Sequence, residues 1–145
     1  MAFKFQNLLE HRKTILDKKY LELSEAQKKI AELNLKIFDV QNSIESFKKS
    51  YESVVLNISN IFDYYVLDSR FKSMQYKLRD LLSGMESAER ELEIRKSELL
   101  SAKIEYEKIN KLKEKYLAAD KLSELKREEA VAADFVSNRF IGGEG

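Results

Sequence analysis

The chain has 145 residues, enough for one domain, and its 26 basic and 25 acidic side chains nearly cancel. It contains no Pro, Cys or Trp, which excludes disulfides and thiolate metal sites and removes the usual helix breaker. Ala, Glu, Lys, Leu and Arg make up about half of it, the composition of long helices and coiled coils, and both charge signs are interleaved rather than gathered into the one-signed stripe of a nucleic-acid binder.

The first residues carry Phe3 and Phe5 around Lys4, with no continuous apolar segment of the signal-peptide kind. A helical pattern then begins with Leu8, Leu9, Ile15, Leu16, Tyr20, Leu23 and Ala26. Arg12 and Lys19 fall at d positions, where long basic side chains lay their stems along a seam and keep the charge in water. The pattern becomes regular at Ile30, Leu33, Ile37, Val40, Ile44, Phe47, Tyr51, Val54, Ile58, Ile61 and Tyr65. This 3-4 spacing is the a/d seam of a coiled coil, not the period-two alternation of a strand. Such a seam needs a partner helix, and the rest of the chain offers one.

From Val54 to Ser69 there is no Lys or Arg, and apolar residues surround the helix. One partner helix cannot bury such a stretch all round, so it either packs as a hydrophobic hairpin tip or meets a partner or second copy. Asp68 and Ser69 are candidate helix caps near the chain midpoint. They place the turn at about residues 64–71, between a first arm of about 4–65 and a second of about 71–140. A flexible tail of 141–145 follows, where Gly142, Gly143 and Gly145 end the helix.

The second arm carries Met74, Leu78, Leu81, Met85, Ala88, Leu92, Leu99, Ala102, Tyr106, Ile109, Leu112 and Tyr116, interrupted by Arg95 at a d position. Gly84 inside it marks a bend or an alternative end of the turn. Beyond Leu112 the spacing slips through Ala119, Leu122 and Leu125, a stutter. The fold class is therefore all-α: two long helices forming a single antiparallel coiled-coil hairpin. Two registers set large against small seam residues. One pairs Ile37 with Ala102 and Tyr51 with Ala88; the other pairs Ile30 with Ala102 and Ile44 with Ala88. Arms of equal length would make a thin rod of about 90 Å, with the tail beside Phe3 and Phe5.

No catalytic constellation is visible. His11 is the sole histidine and faces water in the heptad frame of Leu9 and Leu16. No carboxylate or cysteine set accompanies it, and no Gly-rich phosphate loop exists. Pairs such as Glu105 and Glu107 interleave with Lys103 and Lys108 as ordinary charged faces. No enzyme activity, cofactor or metal is expected.

The two ends carry a family likeness. Phe3-Lys4-Phe5-Gln6-Asn7-Leu8-Leu9-Glu10-His11-Arg12 resembles the opening of the flagellar export protein FliJ family, an aromatic–basic–aromatic triplet followed by a Leu-Leu-acidic-x-Arg step. The spacing here is one residue shorter. Asp134-Phe135-Val136-Ser137-Asn138-Arg139-Phe140 resembles the family's closing acidic–apolar–Arg-Phe segment. The resemblance implies a cytoplasmic, stalk-like protein of type III export, peripheral to the inner membrane without inserting into it and without nucleic-acid partners. It implies binding to the export ATPase (FliI-like) hexamer through Phe3, Phe5, Arg12, Phe135, Arg139 and Phe140. It also implies contact with the export-gate protein (FlhA-like) through Phe47, Tyr51, Phe71, Met74 and Leu78, and dealings with export chaperones. A prefoldin-like chaperone subunit, with β-hairpins drawn from Val54–Leu67, and a scaffold dimerising as one long parallel coiled coil are the competing readings. Neither Asn-Gly nor Asp-Gly occurs to turn such a β-hairpin.

Overall fold

The computed structural model describes residues 2–57 and 60–143, with side chains through Arg139. Among these, all regular structure is helical: α1 is Gln6–Leu56 and α2 is Ile61–Gly143. The helices run antiparallel as a coiled-coil hairpin, and their contacts divide the chain into two compact units. One is Met1–Asp17 with Ser101–Gly145; the other is Lys18–Leu100.

The turn lies earlier than the caps at Asp68 and Ser69 predict. The Asn57 amide side chain donates to the Ser53 carbonyl at 3.0 Å, and its backbone N–H donates to the Val54 carbonyl at 3.1 Å. These bonds satisfy carbonyls that the end of α1 would leave open. Asn60 Oδ1 then accepts the Asp63 backbone N–H at 2.9 Å, an N-cap for α2. Asp68 and Ser69 are inside α2, where Asp68 pairs with Lys72 at 3.1 Å instead of capping. The first arm therefore ends at Leu56, not near residue 65, and the second begins at Ile61, not near 71. Equal arm length was the wrong guide, because α1 has 51 residues and α2 has 83. At its far end α2 continues through Gly142 and Gly143, into the segment read as a tail.

In unit Lys18–Leu100 the seam forms as the heptads predict. Ile37, Val40, Met85 and Ala88 are buried, and Ile30, Leu33, Ile44, Phe47, Tyr51, Met74, Leu78, Leu81 and Leu92 are half-buried. The register is neither of the two expected. Lys19 meets Glu98, Arg95 meets Glu22 and Phe47 stacks on Phe71. In each pair the two residue numbers add to 117 or 118. The expected pairings, such as Ile44 with Ala88 or Tyr51 with Ala88, lie two and three heptads away. Size matching of seam residues is a weak discriminator; the turn and the charged pairs decide. The predicted seam also stops early, since Val54, Ile61 and Tyr65 are exposed. Ile58 lies outside the described residues. Gly84 sits within uninterrupted α2, and a Cβ built on it would meet nothing within 4 Å.

In unit Met1–Asp17 with Ser101–Gly145, Leu9 and Leu16 are buried and Ala102, Tyr106 and Ile109 are half-buried. The stutter comes one step sooner than expected. Leu112 is exposed, and Lys113, Tyr116 and Asp120 take the half-buried positions. Every described side chain from 121 to 139 is exposed. The short first arm leaves this part of α2 without a partner helix.

Candidate functional site

Among the described residues the fold presents apolar and aromatic surfaces. The best formed lies in unit Lys18–Leu100. Phe47 and Tyr51, one helical turn apart on α1, have ring centroids 5.8 Å apart. Phe47 stacks on Phe71 of α2 at 5.6 Å with an interplanar angle of 18°. Ring stacking of this kind adds about 0.5–1.5 kcal/mol beyond burial alone. The trio, with Lys48 and Asp68, lines a cavity of about 260 Å³. A second, more open cavity of about 490 Å³ is lined by Phe47, Tyr51, Val54, Leu67, Arg70 and Met74, with Ser43, Ser46 and Ser50 along one side. The Ser43 and Ser50 hydroxyls donate back to the Asp39 and Ser46 carbonyls, so that side of α1 is flat. Burial pushes the Tyr51 phenol above its ordinary pKa, and Tyr64 and Asp68 add to the effect. Of the residues read as gate-binding, Phe47, Tyr51, Phe71 and Met74 thus come together. Leu78 is half-buried one turn beyond Met74. Lys48 and Arg70 share these cavities and were not singled out from the sequence, and Asp68, which lines the first, was read there only as a helix cap. Only the Asp68–Lys72 spacing of four hinted at an ordered pair there.

Apolar residues around the turn are left in water. Leu56 is 86% exposed, Ile61 and Phe62 are each 70% exposed, and Tyr65 is 61% exposed. The stretch packs on itself only in part: Val55 and Leu67 are half-buried, and the Tyr64 and Tyr65 rings meet edge-on at 6.2 Å.

The residues read as ATPase-binding do not form one cluster. Phe3 packs edge-on against Phe5 at 5.9 Å and against Tyr116 at 5.6 Å. The Tyr116 hydroxyl donates to the Ala2 carbonyl at 3.3 Å. Tyr116 was read as a seam residue alone; the register makes it the partner of the N-terminal aromatics. Arg12 is half-buried, and its Nε is buried without a hydrogen-bond partner. Phe135 and Arg139 are exposed on α2, 19 and 23 residues past Tyr116. At 1.5 Å per residue Phe135 is about 28 Å further along the helix, so it cannot sit beside Phe3 and Phe5. Equal arms were the premise of that juxtaposition, and the arms are unequal. Phe135 instead lines an open apolar groove with Val131, Ala132, Val136 and the stems of Arg127 and Glu128. Phe140 falls on α2 outside the described side chains.

A charged layer crosses the seam of unit Lys18–Leu100. Lys19 Nζ lies 3.0 Å from Glu98 and 3.2 Å from Glu22. Arg95 lies 3.1 Å from Glu22, 3.2 Å from Glu98 and 2.9 Å from Glu91. The hydrogen bond from Lys19 holds the Glu98 carboxyl below the ordinary range; partial burial opposes this and Arg95 supports it. Glu98 and then Glu22 hold the Lys19 ammonium above its ordinary value. Lys19 was expected to send its charge into water. Lys19 and Arg95 are the two basic interruptions of the seam in this unit, one per arm, and they meet at one level with carboxylates between them. The sequence marks each interruption, but only the register brings them together.

His11 is exposed, and no group of three or more His, Cys, Asp or Glu among the described residues is arranged to hold a metal ion. No described helix is long and apolar enough to cross a membrane. In comparison with known proteins, the family model described as flagellar FliJ protein matches residues 1–145. No curated protein and no solved structure matches. With a two-helix antiparallel hairpin, aromatic contact surfaces and a family match along its whole length, the chain belongs to the flagellar FliJ family.

Proposed function

We propose that this chain is a cytoplasmic, stalk-like component of the flagellar type III export apparatus, working at the cytoplasmic face of the inner membrane. It binds the export ATPase (FliI-like) hexamer and promotes its assembly and activity. It links that hexamer to the export gate (FlhA-like) and to export chaperones. The observation that carries the proposal is the full-length family match, joined to a hairpin that exposes apolar surface instead of enclosing a pocket. The unpartnered part of α2, with Phe135 and Arg139, and the Phe3–Phe5–Tyr116 cluster with Arg12 are the surfaces assigned to the ATPase. The cavities around Phe47, Tyr51, Phe71 and Met74, with Leu78 beside them, are assigned to the gate. Buried aromatic anchors in such positions carry most of the binding energy of an interface.

The test is ATPase activity and hexamer formation of the export ATPase from the same organism, titrated with this protein. Stimulation that saturates, and that disappears when Met1–Phe5 and the residues after Asp134 are removed, supports the stalk role. No stimulation by intact, folded protein overturns it. The prefoldin-like reading loses its basis, because α1 reaches Leu56 and α2 starts at Ile61, so Val54–Leu67 is helical on both sides of a short turn. The parallel dimer is likewise displaced by the Lys19–Glu98 and Phe47–Phe71 contacts within one chain.

A further inference from the structure

We propose that the hairpin has a second register, with the arms slid two heptads past one another, and that the Lys19–Glu22–Arg95–Glu98 layer locks it in the observed one. This goes beyond the export role and does not depend on it. Four separate features of the chain point to the same alternative.

First, the a/d spacing does not stop where α1 stops. It runs unbroken from Ile30 to Tyr65, through the turn and into α2, yet Ile61 and Tyr65 are exposed. Second, two N-cap candidates, Asp68 and Ser69, go unused as caps because they lie inside α2. A turn at about 65–68 would extend α1 through Tyr65 and start α2 near Ser69. Seam pairs would then add to about 132, the register that sets Ile44 against Ala88. In that register Ile61 faces Phe71 and Val54 faces Leu78, so apolar side chains now in water join the seam. Third, the part of α2 beyond Asp120 has no partner helix. The slide carries α1 about 21 Å along it and covers its first turns. Fourth, the buried Arg12 Nε has no hydrogen-bond partner. In the slid register position 12 faces Asp120, a carboxylate.

The observed register wins at the charged layer. There Lys19 and Arg95 each meet a carboxylate of the opposite arm, at 3.0 and 3.1 Å. After the slide Lys19 would face Lys113, and Arg95 would face Ile37. Each cation would lose its carboxylate on the opposite arm and keep only those on its own helix, Glu22 for Lys19 and Glu91 and Glu98 for Arg95, the kind of penalty by which polar interruptions select one register among several apolar ones. A packed seam passes between discrete registers, not through a continuum, because intermediate positions put knobs against knobs. The device is a bistable hairpin in which one polar layer holds what several apolar groups oppose.

The natural chain has no cysteine, so paired cysteines report the register directly. Leu33→Cys with Met85→Cys reports the observed register. Ile44→Cys with Ala88→Cys reports the slid one, and Ile37→Cys with Ala88→Cys reports the one-heptad slide as a control. Each pair is treated with a short thiol cross-linker, in the wild-type background and with Lys19→Leu and Arg95→Leu together. Removing the lock should raise the yield of the Ile44–Ala88 pair several-fold over the control pair and lower that of Leu33–Met85, with helical circular dichroism retained. Asn60→Ala, which weakens only the observed turn, should shift the yields in the same direction and serves if the double variant fails to fold. An Ile44–Ala88 yield no higher than the control in the folded variants overturns the proposal.

Discussion

Ile37 and Ile61 are the same residue type on the seam of one heptad pattern, one at an a and one at a d position, yet they meet opposite fates. Ile37 is 8% exposed against α2, and Ile61, just past the turn, is 70% exposed. The contrast extends to their surroundings: Val40, Met85 and Ala88 are buried, whereas Leu56, Phe62 and Tyr65 stand in water. A heptad supplies a stripe; burial requires another stripe at the same level. At Ile61 the chain is reversing direction, so that level holds nothing to pack against.

The largest way to test this contrast is to truncate both isoleucines. Ile37→Ala removes buried methyl groups and should destabilise by about 2–4 kcal/mol. Ile61→Ala should change stability by less than about 0.5 kcal/mol, since it removes surface already in water. Thermal melts followed at a helical wavelength check both, and a large loss at Ile61 would mean that the turn region is packed after all. Asn60→Ala comes next. It removes the acceptor for the Asp63 N–H and should cost about 1 kcal/mol, whereas Asp68→Ala, inside α2, should cost less because it loses only the exposed pair with Lys72. Equal losses would place a cap at Asp68. Gly84→Ala should act in the opposite direction, stabilising by up to about 1 kcal/mol, because the position is helical and the added methyl meets nothing.

The smallest effect concerns pH and the charged layer. Glu98 in the folded chain lies below its ordinary pKa of 4.5. Its contribution to stability is therefore complete above that value and is lost as pH falls through the lower folded value. Lys19 lies above its ordinary 10.5, so its contribution is complete below that and lost as pH rises through the higher folded value. Glu98→Gln should differ from the natural chain near neutral pH, and the two melting curves should converge as pH falls through the lowered folded value. A difference that persists unchanged into acid would show that the carboxylate charge plays no part.

Much of the fold was legible in the residue order. The helical arms and most seam positions follow from spacing alone, Ile30 to Tyr51 on one arm and Met74 to Ile109 on the other; the antiparallel pairing was expected from caps at Asp68 and Ser69 and from matched arms, and it holds although both of those features fail. The Phe47–Tyr51–Phe71–Met74 group was legible through family likeness, and the structure brings those residues to shared cavities. The turn was misplaced because two cap signals compete. Asn57 and Asn60 fall inside the unbroken heptad run and were not weighed as caps, while Asp68 and Ser69 sit close to the midpoint. One misplaced turn then propagates. It shifts the register by whole heptads, makes the arms look equal, and brings Phe135 and Arg139 to Phe3 and Phe5, from which the structure separates them.

Sequence by itself determined that the chain is helical and that each arm carries one apolar stripe. These are properties of single residues and of their spacing, and spacing survives any heptad slide. Tertiary structure alone decided the register, and with it the turn at Asn57–Asn60, the meeting of Lys19 and Arg95 with Glu22 and Glu98, and the uncovered stretch of α2. A seven-residue repeat matches itself at every seventh position, so local pattern cannot distinguish one register from the next. Only contacts between residues far apart in the chain, above all the charged pairs and the cap at the turn, break that degeneracy.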